Sequence, residues 1–256
     1  MLEWLTERRR QHLLEEPFSA EWLGYIESNV KHFRALGDDE RRHLLDLVQI
    51  FVHEKHWEGC GGLELDDEIR VTIAALACYL VLGLPHELYR NVQSILVYPT
   101  TVVTPERPTS TFAQPQLQHS NVPILGEAQL RGPVILVWDA VVRDARHPEH
   151  GHNVVYHEFA HKLDMLDGQV DGTPELPGRE DYRRWVEVFE REYLGLREAA
   201  KQGRRTFIDV YGATNEAEFF AVATEYFFDN PRSMTKHHPE LYEVLRSFYR
   251  QHPAGR

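Results

Sequence analysis

Five consecutive residues, His157-Glu158-Phe159-Ala160-His161, have the types and spacing for metal-assisted hydrolysis. On a helix, side chains four apart lie on one face a turn from each other, so both imidazoles can reach one ion. Zinc accepts neutral imidazole nitrogen at about 2.0–2.1 Å, and a catalytic site keeps three protein ligands and an open fourth position. Glu158, beside the first histidine, is placed to take a proton from a water attacking a carbonyl. In a chain with 15 histidines a chance HExxH has a probability on the order of several per cent, so its surroundings matter. Val154, Val155, Phe159, Ala160 and Leu163 make the segment apolar on most sides, which predicts buried imidazoles in need of partners.

A third ligand is required, and the residues leave two sources open. Asp167 stands six residues after His161, the metzincin-like position, but the glycine that such a turn uses is replaced by Asp164. The later segment "YGATNEAEFFAVATEYFF" offers Glu216, Glu218 and Glu225. Glu218 and Glu225 share a helical face, and Glu216 points elsewhere. Asn215 followed by Glu218 also reads as a helix cap. Asp164 and Glu225 are both candidates to orient a ligand histidine through its second ring nitrogen. An aspartate four residues after the third ligand, the thermolysin arrangement, is missing, since Val222 stands there.

The segments "HEFAHKLDMLDG" and "YGATNEAEFFAVATEYFF", with "PVILVWDAV" before them, resemble the Mlc titration factor A family of bacterial zinc peptidases over roughly residues 20 to 250. The two motifs are also similar to the catalytic domain of anthrax lethal factor. The resemblance implies that His157, His161 and Glu218 bind Zn2+, in a gluzincin-like site, with Glu158 as base. It also implies that Tyr211 points its hydroxyl at the metal, where a phenol can donate to a developing oxyanion. Peptides or proteins would be the substrates, by aminopeptidase or endopeptidase cleavage. A regulatory partner is implied as well: Mlc, a glucose-responsive repressor that a titration factor captures. A binding module with weak or self-inhibited peptidase activity is the competing expectation.

The elements that must position these residues follow from the apolar pattern. From residue 2 to about 84 the spacing is helical, in "AEWLGYIESNVKHF", "DDERRHLLDLVQIFVHEKHW" and "DDEIRVTIAALACYLVLGL". Between about 92 and 142, prolines separate the β-rich runs "SILVYPTTVV" and "PVILVWDAVV", which predict a small sheet with residues 133–138 at an edge, open to an extended substrate. Helical patterns return at 152–166, 180–200, 215–229 and 237–251, with Asn230-Pro231 as a stop. The order predicts an α+β fold, mostly helical and zincin-like, as a single domain over 1–256: a helical part to residue 90, then the sheet and catalytic part from 91.

Composition narrows the function classes. With 40 acidic and 28 basic residues the formal charge is −12, which repels a phosphate backbone and argues against direct nucleic-acid binding. Cys60 and Cys78 lack both disulfide-scaffold and CxxC spacing. The charged N-terminus does not read as a signal peptide, and the apolar run 71–84 is shorter than the roughly 20 residues that span a bilayer. A cytoplasmic protein away from membranes is expected. "HEKH" at 53–56 has its histidines three apart and reads as a helix end.

Overall fold

The structure is a computed structural model that describes residues 2–84, 89–100, 126–128 and 132–256. Residues 101–125, which contain most of the proline-rich stretch, lie outside the described residues.

Helices α1 (Leu2–Leu14), α2 (Ala20–Asn29), α3 (Asp38–Glu54) and α4 (Asp67–Leu80) form the first third, as the periodicity predicts. Helix α4 starts at Asp66, whose carboxylate accepts from the Ile69 amide, and carries Asp67 and Glu68 in its first turn. Val71 through Leu82 is buried at every position. No face of this helix meets solvent over that stretch, because α2, α3 and the metal-motif helix all pack on it. That explains a run apolar on all sides, too short for a membrane span.

The sheet has the order β1-β2-β4-β3. Strands β1 (His56–Gly59), β2 (Ser94–Tyr98) and β4 (Val134–Val137) are parallel neighbours, and β3 (Gly126–Ala128) closes one side antiparallel to β4. Two sequence expectations are corrected. Strand β4 is interior, bonded to β2 on one side and β3 on the other, so 133–138 offers no free edge over Val134–Leu136. The chain also leaves the strand at Trp138 for helix α5 (Trp138–Arg146) rather than continuing as β structure. The buried set Ala140, Val141, Asp144 and Ala145 has helical spacing, which overrides the β preference of the two valines. Strand β1, which begins on the last histidine of "HEKH", was not legible as a strand: four residues, mostly exposed, give too little pattern.

The last part is helical: α6 (Val154–Asp164), α7 (Arg179–Lys201), α8 (Glu216–Asp229), α9 (Pro231–His237) and α10 (Pro239–Tyr249). Asn230-Pro231 ends α8 as expected, but Pro231 then occupies the first turn of α9, where its missing N–H costs nothing. Among the described residues the architecture is α+β and mostly helical, with one continuous apolar core.

Candidate metal centre

Helices α6 and α8 pack against each other and carry the residues in question. Each begins on an asparagine cap: Asn153 Oδ1 accepts from the Tyr156 amide at 3.1 Å, and Asn215 Oδ1 from the Glu218 amide at 2.9 Å. The capping reading of Asn215 therefore holds at the backbone, and the Glu218 carboxylate goes to the histidines instead. Behind α6, Tyr156 packs on Tyr79 and Phe228, and Phe159 packs on Phe51 and Tyr89, with ring centroids 4.9–6.3 Å apart. Behind α8, Phe219, Phe220 and Phe227 pack on Phe189, Trp185 and Tyr249. Aromatic contacts on both outer faces leave little freedom to rotate the polar faces that meet between the helices.

There, His157 Nε2 lies 3.0 Å from Glu218 Oε2 and 3.3 Å from His161 Nε2, and His161 Nε2 lies 3.5 Å from the same carboxylate oxygen. Adjacent donors around a tetrahedral ion with bonds of about 2.0–2.1 Å sit about 3.3–3.4 Å apart. The triangle fits three donors bound to one such ion. Among the described residues it is the group whose side-chain atoms could hold a metal ion. Asp167, the rival ligand, is exposed on a 3-10 turn and accepts from the Gln169 amide, away from the group. Glu216 lies on the opposite side of α8 from Glu218.

The outer partners settle which ring nitrogen is available. Glu225, fully buried, accepts from His157 Nδ1 at 2.8 Å, His152 Nδ1 at 2.9 Å and the Asn153 amide at 2.6 Å. With Nδ1–H committed to Glu225, a neutral His157 turns a bare Nε2 toward Glu218 and His161. Lone pairs so close repel unless a cation stands between them. A proton serves when no metal is bound: burial disfavours charged His157, but hydrogen bonds to Glu218 and Glu225 outweigh it and hold its pKa well above the ordinary value. The same pairing keeps Glu218 well below the carboxylate range despite burial. Asp164 is not within hydrogen-bond reach of His161. It is fully buried and accepts from the Gly172 amide at 3.0 Å, while its Oδ1 and His161 Nδ1 are both buried with no hydrogen-bond partner among the described residues. Burial pushes its carboxyl up to about 6.

Glu158 is buried, and Tyr211, half exposed on the 3-10 turn Val210–Ala213, reaches the site from the front, its ring 5.9 Å from that of His157. Burial, the charges of Glu218 and Glu158, and a hydrogen bond to Glu218 push its phenol up to about 12, so it stays protonated and able to donate near neutral pH. The chain order put these residues in range. What it did not disclose is Lys162, whose side chain is fully buried beside the base. Its ammonium donates to Gly132 O at 2.9 Å, and the Glu158 charge acts on it; burial pulls its pKa down to about 8. The one available signal was a lysine next to Leu163 in a helix whose residues outside the metal motif are mostly apolar.

Comparison with known proteins places the whole chain in one context. The family model described as Glucose-regulated metallo-peptidase M90 matches residues 4–250. An uncharacterized protein of Synechocystis is 38% identical over 247 residues, covering 96% of this chain and 89% of its own length. The Mlc titration factor A of Salmonella arizonae is 31% identical over 242 residues, covering 93% and 94%, and that of Edwardsiella ictaluri is 33% identical over 228 residues, covering 87% and 84%.

Proposed function

The chain belongs to the glucose-regulated metallo-peptidase M90 family, and from that premise we propose that it is a zinc peptidase in which His157, His161 and Glu218 hold the metal, Glu158 is the base and Tyr211 the oxyanion donor. What carries the reading is the convergence of two imidazole nitrogens and one carboxylate oxygen at first-shell separations, with a buried glutamate fixing the tautomer. Zinc fits the donor set of two nitrogens and one oxygen, and three such ligands with no thiolate among the described residues suit a catalytic better than a structural role. When bound, the ion supplies Lewis-acid polarisation of a carbonyl and acidifies a water molecule.

The chain's own residues do the rest. Glu158 accepts the proton of the attacking water and delivers it to the departing amine. Tyr211 donates its O–H to the carbonyl oxygen as negative charge develops there. Among the described residues β3 is an edge strand, paired with β4 on one side and lying against α6, so we place the extended substrate chain along it by strand addition, in the role first expected of residues 133–138.

Glu158→Gln tests the proposal. The variant should bind one zinc per chain and lose about 10²–10⁴-fold in peptidase rate, the usual contribution of a general base. Full activity in that variant, or a purified protein without zinc, would sink it. The names of the Mlc titration factors support a second role, binding of Mlc or a protein like it. A pull-down with Glu158→Gln separates the two: repressor held without hydrolysis makes binding independent of chemistry. A cytoplasmic location and a single catalytic domain over 1–256 belong to the same proposal; no helix among the described residues is long and apolar enough to cross a membrane.

A further inference from the structure

A lysine with no solvent-exposed surface is rare, because an ammonium loses its hydration on burial and must be compensated by protein groups. Lys162 is such a residue, on a site helix. Four-residue spacing from Glu158 puts the two side chains on one strip of α6, next to the strip that carries His157 and His161. The strip faces the sheet. The Lys162 ammonium reaches Gly132 O at 2.9 Å, and Gly132 lies two residues before β4 and four after β3 in the chain, at the closed end of the β3–β4 hairpin. The register Ala128↔Val134 then carries that position directly into the edge strand. On the other side the Lys162 carbonyl accepts from Asn91 Nδ2 at 2.8 Å, tying this turn of α6 to the segment that leads into β2.

We propose that Lys162 is a positioning residue: it pins the β3–β4 hairpin to the metal-motif helix and so sets the height of the substrate-binding edge over the metal ligands. A carbonyl held by a buried cation is fixed more firmly than one bonded to a neutral donor. Helix and hairpin also pack against each other, and packing resists separation more than sliding along the helix axis. A charged hydrogen bond at the hairpin's closed end restrains that sliding. Lys162 touches neither metal nor substrate; its effect passes through β3. The inference rests on the placement of substrate along β3 given under the proposed function, whereas the hairpin restraint is a property of the folded chain alone.

Two measurements separate those parts. Zinc-loaded wild type, Lys162→Met and Lys162→Arg are compared by hydrogen exchange at residues 132–137 and by kinetics on an extended peptide and on a single-residue amide that makes no strand contacts. Lys162→Met should keep one zinc per chain, exchange about tenfold or more faster across 132–137, and raise KM for the extended peptide about tenfold. The single-residue amide should change by less than about threefold. Lys162→Arg, which retains charge and donors, should restore most of the loss. Unchanged exchange overturns the pin. An equal fall in kcat on both substrates with KM unchanged overturns it too, by assigning Lys162 to the base instead. Faster exchange without activity in any form, wild type included, keeps the pin and removes the peptidase reading. If Lys162→Met does not fold, Lys162→Gln takes its place; failure of both makes Lys162 a general core residue and ends the proposal.

Discussion

Glu225→Gln is the sharpest test of how the site is built. The carboxylate is fully buried and accepts three hydrogen bonds, two from imidazoles and one from a backbone amide. Glutamine keeps one oxygen and replaces the other with an NH2 group that cannot accept. Oε2 serves two donors, His152 and Asn153, while Oε1 serves His157 alone, so the amide oxygen should turn toward the pair. The NH2 group then faces His157 Nδ1. To avoid two donors in contact, His157 must shift its proton to Nε2, the nitrogen that the metal needs. Loss of such an outer partner typically costs 10–100-fold in metal affinity, or about 1.4–2.8 kcal/mol. Burial of Glu225 and the forced tautomer favour the upper end. Competition against a chromophoric chelator at fixed pH measures the change, and NMR of the imidazole nitrogens in the metal-free protein, at a pH high enough for His157 to be neutral, reports the tautomer. Wild-type affinity together with a proton still on Nδ1 would refute the reasoning, because the tautomer would then not depend on Glu225.

Tyr211→Phe removes one oxyanion donor and should lower kcat about 10²-fold with KM and zinc content nearly unchanged, read by steady-state kinetics on the metal-loaded protein. Acidification should release the metal early. His157 in the metal-free protein holds its proton above the ordinary imidazole value of 6.5, so protons compete from above that pH rather than only below it, and equilibrium dialysis across pH 5–8 should show the loss beginning there. The same raised value sets the sign for the metal-free fold. Its protonated His157 stabilises below the unfolded imidazole value, and the benefit fades as pH rises through the folded one, so the metal-free melting temperature should fall over that window while the metal-loaded one does not.

The parts of the molecule that the sequence disclosed are those governed by local rules. The helical thirds, the stop at Asn230-Pro231 and the buried run 71–84 follow from period, caps and proline. His157, Glu158 and His161 were legible because ligand spacing on a helix is itself local. The place of Glu218, rather than Asp167, beside the two histidines was not, since it depends on how two helices pack whose residues stand 61 apart in sequence; only the resemblance of "YGATNEAEFF" to a known family pointed to it. The interior place of β4 was hidden for a related reason. A four-residue apolar strand looks the same with one neighbour or two, and β3, its second neighbour, is three residues long. Lys162 and the triple acceptor Glu225 were invisible as pairs, because the groups that they serve, Gly132, His152 and Asn153, are ordinary residues until the fold brings them close.

The proposed ligands come from α6 and α8, with helix α7 and a long connection between them. A bound ion therefore acts as a clasp between distant parts of the chain, and an ion that binds only the folded form adds about 2.7 kcal/mol at a free concentration 100 times its Kd. The protein's lifetime against proteolysis should thus track the metal supply of its surroundings, so that scarcity removes the molecule as well as its chemistry.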